Sequence, residues 1–108
     1  RHELLCTLED VVRVSSKLLV PGGLFSMVHR PDRLVDIVFL MRSHGIEPKQ
    51  LRFVHPAPYK KPNLMLINGA RGGRPQLKMM DPLYVYDEKG CYSEEINEIY
   101  QREVKTVD

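Results

Sequence analysis

The stretch LEDVVRVSSKLLVPGGLFSMV, residues 8–28, constrains the fold more than any other part of this 108-residue chain. Thr7 is placed to cap a helix, and Glu9 and Asp10 put negative charge in its first turn, where the helix dipole favours it. Apolar residues recur at Leu8, Val11, Val12, Leu18 and Leu19, while Arg13, Ser15, Ser16 and Lys17 turn elsewhere, which predicts a helix with one buried stripe. Pro21 cannot continue that helix, and Gly22 and Gly23 supply positive-φ positions that reverse the chain. Residues 24–28 then read as a short strand, apolar nearly throughout and so expected to be buried on both faces. An apolar strand following an amphipathic helix marks a parallel α/β sheet. The stretch is therefore the second half of a βαβ unit whose first strand is not in the sequence.

Downstream, Pro31 stops the strand and Asp32 is a good N-cap for a helix from Arg33 to about His44, which buries Leu34, Ile37, Val38, Leu40 and Met41. Val35 and Phe39 widen that stripe, and Gly45 closes the helix. Residues 46–49 read as a connector and residues 50–55 as a strand with one wet face, because QLRFVH alternates in period two. The loop PAPYKKP cannot be helix or ladder interior, and NLMLINGA, residues 63–70, is a second strongly apolar strand. A further strand over 83–86, the turn Asp87-Glu88-Lys89-Gly90 and a helix from Glu94 to about Arg102 capped by Ser93 complete the chain. Ile96, Ile99 and Tyr100 form the apolar side of that helix. The proline-rich link before residue 63 is too short for a parallel crossover, which needs a dozen residues or more, so the strands it joins are antiparallel neighbours. A right-handed crossover followed by an antiparallel return makes a mixed sheet.

The topology resembles the C-terminal half of the Rossmann-like class I S-adenosylmethionine-dependent methyltransferase fold, a mixed α/β sheet with an antiparallel terminal hairpin. Within it the chain resembles the tRNA(Val) adenine-N(6)-methyltransferase family, through LEDVVRVSSKLLVPGGLFSMVHRPDRL, KKPNLMLINGARGG and PLYVYDEKGCYSEEINEIY. The resemblance implies one partial domain over residues 1–108, with residues 83–108 as a terminal strand–turn–helix extension. It implies a parent transferase that moves a methyl group from S-adenosylmethionine to the exocyclic amine of an adenine in tRNA. The family's glycine-rich cofactor loop, its acidic residue after the second strand and its Asn-Pro-Pro-Tyr motif do not occur here. The chain starts at Arg1, mid-motif, and reads as a fragment that begins where that apparatus ends. No catalytic or cofactor-binding residue is assigned, and the fragment alone is not expected to bind the cofactor or to be active. The competing class is a self-contained small α/β module that binds RNA or protein without catalysis.

Two basic groups are candidates for RNA contact. Lys60 and Lys61 lie beside Tyr59 and close to Arg52 and His55, and basic side chains neutralise phosphate while a tyrosine face stacks a splayed base. The bland reading is a solvated loop. Arg71 and Arg74 flank two glycines in GARGGR, where guanidinium forks suit phosphate; the bland reading is a strand exit that needs small residues. That run lacks the spacing of a nucleotide-phosphate loop. The formal net charge of +2 permits a nucleic-acid partner without demanding one.

The remaining features exclude more than they assign. At 43% hydrophobic and 28% charged, the chain has the composition of an ordinary globular domain. Nothing approaches the roughly 18–20 apolar residues of a membrane span, so no membrane partner is expected. Four histidines with Cys6 and Cys91 show no HxxxH or CxxC spacing, so no metal is expected, and the thiols read as free in a reducing cytoplasm, with a disulfide between them the lesser alternative. Ser15 and Ser16 lack the GxSxG setting of a nucleophile. An apolar strand without its preceding neighbour leaves an open edge. The isolated chain is therefore expected to form a twofold homodimer by joining these edges or exchanging the first helix.

Overall fold

The computed structural model describes residues 7–107; Cys6 and the Arg1–Glu3 lead lie outside the described residues. The first helix, α1 (Leu8–Leu18), opens on a complete capping box. The Asp10 amide donates to Thr7 Oγ1 at 3.1 Å, and the Thr7 amide donates to an Asp10 carboxylate oxygen at 3.1 Å. That backbone bond from Thr7, followed by the contact with Arg13, holds the Asp10 carboxyl below its ordinary value. The buried line of α1 is Val12 and Ser16, with the Ser16 hydroxyl donating to the Arg13 carbonyl at 2.8 Å. Val11 and Leu18, expected in the buried stripe, are exposed. They sit on the flank of the helix that overhangs the next strand, β1 (Leu24–His29).

Between α1 and β1, Gly22 alone has a positive φ, of 83°. Gly23 is instead fixed by space, since a Cβ there would lie 2.9 Å from the Val20 carbonyl oxygen. Asp32 falls inside a 3-10 turn, Pro31–Arg33, instead of capping the helix that follows, α2 (Leu34–Ser43), whose N-cap is Arg33 without a side-chain bond. Ile37 and Met41 form the buried line of α2. Val35 and Phe39 are exposed rather than part of its stripe, because a residue two positions from the buried line points nearly to the opposite side. Gly45 closes α2 at φ 79°, as expected.

The next strand, β2 (Ile46–His55), begins four residues earlier than the alternation suggested, and Ile46 is fully buried. A register shift between Pro48 and Gln50 accommodates the proline in the ladder. Its hairpin partner is β3 (Leu64–Arg71), antiparallel to β2 on one side and to β1 on the other. Two short strands, β4 (Lys78–Met79) and β5 (Leu83–Tyr84), pair parallel to β2. The first was not anticipated, and the second stops short of Tyr86, which bridges instead to Tyr92 across the turn at 87–90. The last helix, α3 (Glu94–Val107), runs beyond its expected end. Ser93 caps it, accepting from the Ile96 amide at 3.3 Å while its hydroxyl donates to the Tyr84 carbonyl. Ile99 and Tyr100 of α3 remain exposed.

The sheet order is β1-β3-β2-β4, with β5 also beside β2. It is the mixed sheet with an antiparallel hairpin that the chain order implied. The core joins Val12 of α1 and Ile37 and Met41 of α2 to Phe25, Ile46, Leu51, Met65 and Ile67 of the sheet. The strand at 24–28 is not buried on both faces. Only Phe25 is, whereas Leu24 is 76% exposed and Val28 59%. These two share a face with Ser26, turned away from the core, and among the described residues no strand pairs with the outer edge of β1.

Candidate nucleic-acid interface

Because β1 and β2 both run antiparallel to β3, they are parallel to each other and end on the same edge of the sheet, at His29 and His55. The loop at 56–62 leaves from that carboxyl edge. Its root is fixed by Ala57, which is buried, by the Asn63 amide donating to the Val54 carbonyl at 3.0 Å, and by a 2.8 Å contact between His55 Nδ1 and the Lys60 carbonyl. Its tip presents Tyr59, Lys60 and Lys61 to solvent, with Lys60 Nζ 5.8 Å from the Tyr59 ring centroid. The sequence thus placed a lysine pair and an aromatic ring together, and the structure holds all three on one exposed turn.

A second aromatic group adjoins this loop. The Val85 and Tyr86 amides donate to the His55 and Pro56 carbonyls at 2.9 and 2.8 Å, docking residues 83–86 against the loop root. The His55 and Tyr84 rings meet at 5.1 Å and 42°, while Tyr86 and Tyr92 stack at 5.3 Å and 11°. Sequence reasoning did not single out Tyr84, Tyr86 and Tyr92. Tyrosines on either side of the DEKG turn were the available signal, since a tight turn brings its flanks together.

Arg71 and Arg74 lie at the other end of β3, about 25 Å away for eight residues at about 3.4 Å each. Arg71 is not a free fork. Its Nη1 donates to the Leu19 carbonyl at 2.9 Å and to the Ser16 carbonyl, satisfying the end of α1. Arg74 is exposed, and its own carbonyl accepts from Lys49 Nζ at 2.7 Å. The four basic residues therefore form two groups at opposite ends of one strand. Other nearby cations are engaged: Arg33 with Asp36 at 2.9 Å, Arg30 with Asp32 at 3.5 Å, and Arg52 with Glu95.

Among the described residues, no glycine-rich turn leads from a strand into a helix. Gly22 and Gly23 join a helix to a strand, Gly69 lies within β3, and Gly72 and Gly73 leave β3 for an extended segment. Neither group of glycines therefore offers the strand-to-helix turn that would cradle S-adenosylmethionine. No three His, Cys, Asp or Glu side chains among the described residues could together hold a metal, Cys91 is an exposed free thiol, and no described helix is long and apolar enough to cross a membrane.

No protein-family model and no curated protein matches the chain. Among solved structures, it is similar to one described as a predicted O-methyltransferase, from Agrobacterium tumefaciens, at 23% identity and a TM-score of 0.79. The match covers 87% of this chain and 45% of that one, so the chain spans about half the length of the structure it resembles. At that identity the likeness is one of architecture. The mixed α/β sheet of this chain has a methyltransferase-like fold.

Proposed function

We propose that the chain is part of an S-adenosylmethionine-dependent methyltransferase whose acceptor is the exocyclic amine of an adenine in tRNA. The observation that carries this reading is the exposed turn of Tyr59, Lys60 and Lys61 at the carboxyl edge of a methyltransferase-like sheet. Open α/β sheets receive their ligands at that edge. Two lysines supply phosphate contacts there, and an exposed tyrosine offers a face to an unstacked base. An amine buried in a base stack has to be taken out of it to be reached, and its methylation depends mainly on holding amine and methyl in line. On this reading the chain contributes sheet, loop and RNA surface, and the cofactor contacts come from the parent's other residues. Lys60 and Lys61 touch RNA, Arg74 extends the basic surface at the far end of β3, and Arg71 shapes that end through α1.

The parent enzyme, given tRNA and isotopically labelled S-adenosylmethionine, should yield labelled N6-methyladenosine on nucleoside mass spectrometry. Lys60→Ala with Lys61→Ala should raise KM for tRNA and leave kcat nearly unchanged, since the lost contacts are to phosphate rather than to the reacting amine. A labelled hydroxyl would turn the reading towards the O-methyl chemistry named for the similar structure. Binding of tRNA without any transfer would turn it towards a module without catalysis.

A further inference from the structure

We propose that the face of the sheet turned away from α1 and α2, along the row that runs from Ser26 to Lys78, binds a single strand of RNA. The inference rests on the RNA part of the reading above but not on methyl transfer. Side chains alternate between the two faces of a strand, and α1 and α2 cover only one face here. On the other face, the register sets Ser26 of β1 beside Asn68 of β3, Asn68 beside Gln50 of β2, and Gln50 beside Lys78 of β4. Four neighbouring strands thus place polar side chains in one row.

The chemistry of the row suits a base edge. Asn68 Nδ2 donates to Gln50 Oε1 at 3.1 Å, which leaves Gln50 its amide donors and Asn68 its carbonyl acceptor. A donor beside an acceptor is what the hydrogen-bonding edge of an unpaired base requires. The surrounding groove is lined by Leu24, Lys49, Gln76, Leu77 and Lys78 together with that amide pair, and among the described residues none that lines it is acidic. Leu24 and Leu77 are exposed apolar surfaces against which a base can lie. Lys49 and Lys78, with Arg74 held close by the bond from Lys49 to its carbonyl, give the groove a positive rim. Gln76 is held at φ 148°, a conformation rare for a residue with a side chain, and such strain tends to persist at binding surfaces. Positive charge, an amide pair and apolar flanks on an open sheet match a splayed polyanion, whereas a duplex keeps its Watson–Crick edges paired and its base faces stacked.

The test is fluorescence anisotropy of the full chain with a labelled single-stranded RNA of roughly a dozen nucleotides, over a series of salt concentrations. Lys49→Ala with Lys78→Ala should weaken binding and lower the log–log salt slope by about 1.4, at about 0.7 per phosphate contact on a single strand. Lys78→Glu, at an exposed position, should weaken binding and lower the slope by about 0.7 without touching the bond of Lys49. Asn68→Ala should cost about tenfold in affinity with the slope unchanged, as a lost base contact does. Unchanged affinity and slope in both lysine variants would overturn the inference. So would a loss confined to a Lys60→Ala/Lys61→Ala chain, which would put all RNA contact at the carboxyl edge and leave the proposed function standing. A reduced slope in the Lys49/Lys78 variant, alongside a parent that methylates no tRNA, would keep this inference and remove the enzyme reading.

Discussion

The Arg71 guanidinium donates to the Leu19 carbonyl at 2.9 Å, so the last residue of β3 fastens the C-terminus of α1 to the sheet. Helix-end carbonyls lack partners within the helix, and a cation is favoured beside them. Arg71→Ala should therefore lower stability by about 1.5–3 kcal/mol, the range for hydrogen bonds to charged groups, with Arg71→Lys recovering part of it. Urea denaturation reads this directly. An unchanged midpoint would mean that water satisfies the end of α1 equally well.

Gly69 sits where β3 packs tightly against both β2 and α2. A Cβ at this position would lie 2.5 Å from the Glu47 carbonyl oxygen and 2.7 Å from Met41 Cε. The methionine tip can move aside, but the backbone oxygen cannot without breaking register. Gly69→Ala should destabilise by about 1–3 kcal/mol, outweighing the smaller gain from a stiffer unfolded chain. A thermal melt would show the sign, and a rise in Tm would count against the packing described.

The capping box makes stability depend on pH. The Asp10 carboxyl is held below its ordinary value of 3.8 by the Thr7 backbone and by Arg13, so its charged form favours the folded state. That contribution is complete above 3.8 and is lost as pH falls through the lowered folded value. Asp10→Asn should flatten this part of the acid limb in Tm against pH. Thr7→Ala, which removes the reciprocal bond, should cost about 1 kcal/mol at neutral pH.

The outer edge of β1 should pair with a second copy of the isolated chain. The Arg71 amide donates to the Gly23 carbonyl. The alternation of antiparallel bonding then directs the N–H and C=O groups of Leu24, Ser26 and Val28 away from β3. A twofold axis through Ser26 would set Leu24 of one copy opposite Val28 of the other, joining two exposed apolar residues. Neither lysine nor proline guards this strand. Light scattering across a dilution series should show a dimer, and Val28→Lys should yield a monomer. A monomer at every concentration of the unsubstituted chain would refute the pairing.

Local features of this fold were legible in the sequence. Thr7 and Asp10 lie three apart and cap α1 whatever else the chain does, Gly45 ends α2 by its own conformational freedom, and the short loop at 56–62 compels an antiparallel return. Burial was less legible, because it depends on what covers each face. Val35 and Phe39 are as apolar as Ile37 and Met41, yet only the latter pair meets the sheet. The basic residues were individually visible, but only three dimensions separate Lys60 and Lys61 from Arg71 and Arg74, and show Arg71 spent on α1. The amide pair of Asn68 and Gln50 comes from cross-strand register, which no single strand's pattern encodes.

The central place of β3 also orders how the chain assembles. Its bonds to β2 close a short loop, whereas its bonds to β1 span all of α2 and β2. Closing the longer loop costs more entropy before any contact repays it. The β2–β3 hairpin is therefore expected to form early with α2 against it, and β1 to arrive later, bringing α1 and the clasp from Arg71. The margin of the sheet that carries the unpaired apolar edge is thus expected to be the last to be secured, and because that edge stays open in the folded chain, its exposure outlasts folding itself.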